Sequence, residues 1–317
     1  MESGEWRVAG RGAVFPRASW PRSTLRLRFS ADSLLKSAII ALLVLATALV
    51  CLWRSLKVPA AEIWPPVALT TVLLGLAWFY RARGEQAFVL CLSALAQIVA
   101  FASCYVVLMY AVTTFAWPLV DAQLATFDAW CGVNVANIRT WTEAHPAIAV
   151  PLRLAYDTLL YQTAAVVALL GLRGERRRLE SFVLAFMLAA LLALCLFIVM
   201  PASGPFVTYG YSPSADQARF LEHFESLRDG SRSVIGLRGA EGLISYPSFH
   251  VAWALLLAWA FRAQRRLFAV FALLNALVVA STMTTGWHYF ADVLAGAAVA
   301  LVAVMGTMLV NKNAQMM

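Results

Sequence analysis

Two histidines and an aspartate in the second half of the 317-residue chain have the types and spacing needed for phosphoryl transfer. His288 precedes Asp292 by four residues, so on a helix the two side chains share one face and can touch. A carboxylate in contact with an imidazole holds it in one tautomer and stabilises the cation or phospho-imidazole that forms during reaction. The second histidine, His250, stands where another apolar segment begins.

The turn that carries His250 also favours an anion. Pro247 suits the first position of a helix, and Ser248 and His250 then lie on its opening turn. A helix N-terminus offers unpaired N–H groups and the positive end of the helix dipole, both of which favour phosphate. The turn that carries Ser248 is therefore a predicted anion site, and Asp292, a carboxylate in an apolar segment, is expected to be functional because burying it there is costly.

Composition places these residues in a membrane protein. Hydrophobic residues make up 62% of the chain and charged residues 13%, with a mean hydropathy of +0.74, whereas soluble domains are about one quarter charged. The net charge of +8 could suggest a nucleic-acid partner, but the arginines and lysines cluster between apolar segments, as topology signals do. We therefore exclude nucleic-acid binding and expect the membrane bilayer and its lipids as partners.

Uncharged segments of helical length predict an all-α, polytopic transmembrane helical bundle of about eight spans. The first two, which follow a basic cytoplasmic N-terminal segment at 1–36, form a separate pair within 37–85. The remaining six belong to a catalytic core at 86–317, with outer loops at 116–152 and 201–246. The predicted spans are 37–53, 64–80, 86–115, 153–172, 181–200, 247–261, 267–283 and 288–310; the stretch 53–63 between the first two could instead be re-entrant.

The distribution of positive residues predicts that both termini lie in the cytoplasm, because most arginine-rich clusters then face inward. This orientation brings His250 and His288 to the same outer face, and a bacterial inner (plasma) membrane is the expected location. In the first outer loop, Trp117, Trp130 and Trp141 are typical of an amphipathic surface segment anchored among lipid headgroups.

The histidine motifs resemble those of the type 2 phosphatidic acid phosphatase (PAP2) superfamily. Residues 247–250 read P-S-F-H and stand in the position of the family's P-S-G-H motif, while Ser281, His288 and Asp292 match the spacing of its S-R-x5-H-x3-D motif. The resemblance extends over about 153–310 and implies that the core is a six-helix bundle of PAP2 type.

The resemblance also implies a role for each matched residue. His288 would attack phosphorus, Asp292 would orient and stabilise it, His250 would protonate the leaving oxygen, and Ser248 would help to bind the phosphate. The family works without a metal or other cofactor, and the sequence has no metal-ligand pattern beside its histidines.

Two phosphate-binding cations of the family are missing from their usual positions. Thr282 stands in place of the family's arginine, Phe249 in place of its glycine, and there is no K-x6-R-P motif before the first histidine. Arginine is well shaped to bind phosphate, and the second outer loop could supply the replacements from Arg219, Arg228, Arg232 and Arg238, of which we assign Arg232 and Arg238 to the substrate.

The bulky residue in P-S-x-H, the H-Y-x-x-D form of the last motif and the turn at 201–205 are more similar to the aureobasidin-resistance, or inositol phosphorylceramide synthase, branch. Such relatives move a phospho-headgroup between lipids. The stretch 156–162 is similar to that branch too, which makes Tyr156 and Asp157 candidate substrate-binding residues. Asp157 could equally be held in a hydrogen bond between helices.

Three other functions stay open on the sequence alone. A phosphatase of the same superfamily would pass the phosphoryl group to water instead of to a lipid, acting on phosphatidic acid or a polyprenyl phosphate. A transporter or channel would use Asp157 and Asp292 in a polar pathway, although the two halves of the chain lack the repeat that many transporters have. A non-catalytic relative would bind lipid phosphate without turnover.

Overall fold

The computed structural model describes residues 31–316, and the side chains of 33–313 within them. Most of the predicted basic segment at 1–36 therefore lies outside the described residues. Throughout the described chain the structure is helical, apart from turns and an isolated parallel bridge between Lys57 and Val234.

Long apolar helices alternate with short helices in the connections. In chain order they are α1 (Ala31–Trp53), α2 (Ala60–Ala82), α3 (Gln86–Thr113), α4 (Asp121–Trp130), α5 (Val135–Glu143), α6 (Pro146–Tyr156), α7 (Leu159–Leu172), α8 (Arg176–Val199), α9 (Pro205–Thr208), α10 (Ala215–Arg228), α11 (Phe249–Ala260), α12 (Arg265–Thr284) and α13 (Phe290–Met316). Most of α6, and all of α4, α5, α9 and α10, occupy the segments predicted as outer loops.

Six helices, namely α1, α2, α3, α8, α12 and α13, are long and apolar enough to cross a membrane. The predicted all-α transmembrane bundle is confirmed, whereas the count of eight is not. The predicted span at 153–172 is two helices, α6 and α7, bent by 51° at a short break, and together they could form a seventh crossing. The segment predicted at 247–261 is helical only over the twelve residues of α11, fewer than the roughly 20 that a bilayer requires.

The break between α6 and α7 lies at Asp157 and Thr158. Thr158 donates its hydroxyl to the carbonyl of Ala155 and accepts a hydrogen bond from the Gln162 amide at 2.8 Å. Side-chain hydrogen bonds of this kind satisfy polar groups at an interruption that would otherwise be costly within an apolar bundle.

Helix α8 lies at the centre of the bundle, and α3, α7, α11 and α13 pack directly against it. Its interior positions, among them Phe182, Ala185 and Ala189, are fully buried. Helices α1 and α2 lie at the periphery, where both pack against α3. Each of them is 23 residues long, and the stretch 53–63 consists of the end of α1, a short non-helical turn and the start of α2.

The turn between α1 and α2 contacts the second outer loop. Lys57 N–H donates to the Ser233 carbonyl, and the Glu62 carboxylate accepts the N–H groups of Leu237 and Arg238, both at 2.9 Å. The peripheral hairpin therefore holds the loop that leads into the P-S-F-H motif.

Helices α11 and α13 are in close contact at Gly296. A Cβ placed on this glycine would lie 2.3 Å from the Ser248 carbonyl oxygen and 3.1 Å from the Cβ of Val251. The Ser248 N–H also donates to the Asp292 carbonyl at 3.1 Å. Backbone contacts thus set the distance between the helix that carries His250 and the helix that carries Asp292.

We predict that Gly296→Ala separates α11 from α13, because the obstructing atom is a backbone oxygen that cannot rotate away. Overpacking of this kind costs about 1–3 kcal/mol, and it should lower both the thermal midpoint in detergent and any turnover that needs both histidines. Gly306→Ala on the same helix is the matched control, since its new Cβ would meet only Leu188 Cδ1 at 3.6 Å. An unchanged thermal midpoint for Gly296→Ala would contradict the predicted contact.

Candidate active site

His250 and His288 face each other across a cavity of about 340 Å³. Their ring centroids are 6.0 Å apart. His250 is the second residue of α11, and His288 lies in the turn between α12 and α13, two residues before α13 begins. A substrate atom between the rings could therefore contact both imidazoles.

The Nδ1 atom of His288 faces two acceptors. It lies 2.8 Å from the Ser245 carbonyl oxygen and 3.2 Å from Oδ2 of Asp292. Both acceptors favour a proton on Nδ1, and a neutral imidazole then has its lone pair on Nε2. This tautomer is the one that a nucleophilic histidine requires.

Asp292 is fully buried and holds the turn as well as the imidazole. Its Oδ2 also accepts the Tyr289 N–H at 2.8 Å, while Oδ1 has no hydrogen-bond partner among the described residues. His288 precedes α13 rather than beginning it, so the contact crosses a turn instead of running along a helix face. The spacing of four residues still brings the two groups together.

His250 is in contact with Tyr156, the last residue of α6. The two rings stack with centroids 4.6 Å apart at an interplanar angle of 21°, and the Tyr156 hydroxyl lies 3.4 Å from His250 Nδ1. Tyr156, which we predicted as a substrate-binding residue, is thus placed to orient His250 as well. Asp157 follows it, is exposed, and lines the cavity.

Ser248 does not line the cavity. It is fully buried, and its hydroxyl caps α11 by accepting the Val251 N–H at 3.4 Å. Pro247 precedes this N-cap and is not in the first turn of the helix. The prediction that Ser248 binds phosphate therefore lacks support from its position, because its polar group is used within the helix end.

The arginines assigned from the sequence also lie away from the cavity. Arg232 pairs with Glu222 at 2.9 Å, and Arg238 is held by its backbone N–H on Glu62. Neither of them lines the cavity, and neither do Arg219 and Arg228.

Arg139 and Arg153 line the cavity instead. Arg139 pairs with Glu143 at 2.8 Å and lies over the Tyr211 ring. The exposed Arg153 guanidinium has no ion pair or hydrogen bond with any residue that the structure describes. Arg153 precedes Tyr156 by three residues and Asp157 by four, so helical spacing places it on their face, a signal that the sequence analysis missed.

Two of the three departures from the family motifs, Thr282 and Phe249, have a local explanation. Thr282 is buried, donates its hydroxyl to the Val279 carbonyl, and accepts the N–H groups of Trp287 and His288 on its own carbonyl. Phe249 turns away from the cavity, and its ring packs against those of Phe186 and Trp253. Neither side chain contributes to the cavity wall.

The comparison with family models agrees with this geometry. A model described as the PAP2 superfamily matches residues 122–306, more than half of the chain. The chain belongs to the PAP2 superfamily. Neither the curated proteins nor the solved structures contain a match to it.

PAP2 members are typically phosphatases or phosphotransferases, so membership indicates an enzyme of lipid phosphate chemistry. The six long apolar helices are consistent with an integral membrane enzyme acting on lipids in the bilayer. Among the described residues, no group of three or more His, Cys, Asp or Glu side chains could hold a metal ion.

Burial lowers the pKa of His288 to about 4, and the hydrogen bond to Ser245 opposes part of this shift. We predict that His288 stays neutral from the ordinary histidine value of about 6.5 down to about pH 4. Because the unfolded chain would bind the proton at the higher pH, acidification through this window should destabilise the fold. The measurement is a ¹⁵N-histidine NMR titration in nanodiscs, with His288→Gln identifying the resonance; protonation near pH 6.5 would show that burial does not control this group.

Proposed function

We propose that the protein transfers a phospho-headgroup from a phospholipid to a lipid hydroxyl through a phosphohistidine at His288, as an inositol phosphorylceramide synthase does. The observation that carries the proposal is the pair of contacts at His288 Nδ1, to Ser245 and Asp292, opposite His250. These contacts favour a lone pair on Nε2, and His250 supplies a second imidazole for proton transfer.

In the first step, His288 Nε2 attacks phosphorus, and the bond from phosphorus to the diacylglycerol oxygen breaks. Burial and the neighbouring His288 lower the pKa of His250 to about 3, and an anionic phosphate bound beside it raises that pKa; in its protonated form His250 gives its proton to that oxygen. In the second step, an acceptor hydroxyl gives its proton to His250 and attacks phosphorus, which breaks the P–N bond and restores His288. In both steps Asp292 accepts a hydrogen bond from the Nδ1–H of His288, and this contact stabilises the phospho-imidazole.

The charges around the cavity support a phosphodiester donor with a polyol headgroup. The Arg153 guanidinium, which is unpaired among the residues that the structure describes, can bind the phosphate oxygens. Carboxylates that line the same cavity can accept hydrogen bonds from hydroxyl groups; they belong to Glu143, Asp157, Asp216 and Glu241.

We also propose that both termini lie in the cytoplasm, that the cavity opens at the outer face of a bacterial inner membrane, and that 37–85 forms a unit apart from the catalytic core at 86–317. Contacts between two arginine-rich turns support the orientation. Arg173, in the turn before α8, donates to Gln264, in the turn before α12, and Gln264 donates to Glu175. These turns lie at the helix ends opposite the two histidines.

We predict that His288→Ala abolishes product formation while the protein still folds in detergent. The purified protein is incubated with phosphatidylinositol, phosphatidic acid or polyprenyl diphosphate, with and without ceramide or diacylglycerol, and products are identified by mass spectrometry. A headgroup adduct that is stable in alkali should appear on the His288 peptide when the acceptor is omitted. His145→Ala is the matched control, because His145 stacks on Trp141 and does not line the cavity.

The products distinguish the remaining functions. Release of free phosphate or inositol phosphate with every acceptor would show that the protein is a phosphatase or hydrolase and not a transferase. Normal turnover by His288→Ala would refute the phosphohistidine. Lipid uptake into proteoliposomes with no ester cleavage would favour a transporter, and tight lipid binding without turnover would favour a non-catalytic relative.

We predict that Arg153→Gln lowers kcat/KM for the phospholipid donor by roughly 10- to 100-fold, because a hydrogen bond to a charged group is worth about 1.5–3 kcal/mol. Arg153→Lys should recover part of the loss, since lysine keeps the charge but not the paired N–H geometry. Arg232→Gln is the matched control, as Arg232 pairs with Glu222 away from the cavity. Equal activity in Arg153→Gln and Arg232→Gln would exclude Arg153 as the phosphate-binding cation.

A further inference from the structure

Helix α4 turns two carboxylates inward, toward the turn that carries His288. Asp121 and Asp128 are seven residues apart, two helical turns, and are 8% and 0% exposed. On the opposite side of α4, Trp130 is 82% exposed. The tryptophan agrees with the predicted amphipathic surface segment, but the two aspartates belong to the interior.

Asp128 accepts the first two N–H groups of α13. Its Oδ2 lies 2.8 Å from the Phe290 nitrogen, and its Oδ1 lies 2.9 Å from the Ala291 nitrogen. The first N–H groups of a helix have no partner in the helix itself, and a preceding Ser, Thr, Asp or Asn side chain usually accepts one of them. Tyr289 precedes α13 and has no such short acceptor, so the carboxylate comes from α4 instead.

Asp121 holds the side chain beside His288. It accepts the Tyr289 hydroxyl at 3.1 Å and the backbone N–H groups of Ser203 and Gly204 at 2.9 and 2.8 Å. The Tyr289 hydroxyl is also hydrogen-bonded to Thr208 at 2.5 Å. Through Asp121 and Asp128, α4 therefore holds the three residues that follow His288.

We propose that Asp128 is a positioning residue for phosphoryl transfer: by accepting the N–H groups of Phe290 and Ala291, it fixes the start of α13 and so sets His288 and Asp292 against His250. The proposal rests on the proposed phosphohistidine function. Asp128 does not line the cavity, so its effect reaches the reaction through the backbone. A displacement of about 1 Å at reacting atoms can lower a rate by about 100-fold.

The test compares Asp128→Asn with Asp229→Asn. An asparagine at 128 keeps the shape but can accept only one of the two N–H groups, because its NH₂ faces the other. Asp229 is the matched control: it is exposed and its carboxylate accepts the backbone N–H of Ser231 at 2.8 Å, in the second outer loop. We expect Asp128→Asn to lower kcat for phosphatidylinositol by roughly 10- to 100-fold per folded molecule, with KM changed less than about twofold, and Asp229→Asn to leave both unchanged.

A structural role alone would reduce the folded fraction and leave kcat per folded molecule as in the native protein, which would overturn the proposal. If Asp128→Asn does not fold, Asp128→Glu keeps both acceptor oxygens but moves them by one methylene, and the same fall in kcat is expected. In an Asp292→Asn background, Asp128→Asn should lower kcat by less than it does alone, because both changes act through His288. Full additivity of the two changes would contradict that shared route.

A second readout does not depend on turnover. In ¹⁵N-histidine NMR, the fraction of His288 protonated on Nδ1 should fall in Asp128→Asn and stay native in Asp229→Asn. If the native protein turns over no lipid yet this shift occurs, the proposed function fails and the positioning of His288 by Asp128 stands. If lipid is turned over but the His288 resonances of Asp128→Asn match those of the native protein, the positioning proposal fails and the function stands.

Discussion

The hydrogen bond between His288 and Asp292 depends on a turn in which every backbone donor from residue 287 to residue 291 has an acceptor. The carbonyl of Thr282 takes the first two N–H groups, Asp292 takes the third, and Asp128 takes the last two. A buried N–H without a partner costs about 1–3 kcal/mol. The hydrogen bonds of these N–H groups thus fix the conformation of the turn, and the turn sets the orientation of the His288 imidazole.

The second histidine reaches this turn through backbone packing. Gly296 lets α11 lie against α13, and the Ser248 N–H bonds to the Asp292 carbonyl. The Ser248 side chain is buried because the serine lies at this contact between α11 and α13. The next residue, Phe249, is directed away from the cavity, and its ring packs against that of Phe186.

The features that could be predicted from the sequence are those that depend on residues close together in the chain. The length of the apolar segments predicted the long helices, and the spacing of four positions from His288 to Asp292 predicted their contact. The separation of α6 from α7 was not predicted because the apolar residues on both sides of Asp157 and Thr158 together have the length of one span. The inward orientation of Asp128 was not predicted because its partners are 162 and 163 residues away in sequence. Arg153 could have been predicted, because it lies three residues before Tyr156 and four before Asp157 and so shares their helix face.

The bend between α6 and α7 explains why Arg153 lines the cavity, although the histidine motifs themselves contain no cation. Helix α6 presents three faces: Arg153 and Tyr156 line the cavity, Leu152 and Ala155 are buried, and Val150 and Leu154 are exposed by 56% and 63%. A straight continuation of α7 would not keep this orientation, because the 51° bend sets the direction of α6 independently. One short helix therefore separates a charged cavity from an apolar exterior, which is the arrangement that a phospholipid, with its anionic headgroup and acyl chains, requires.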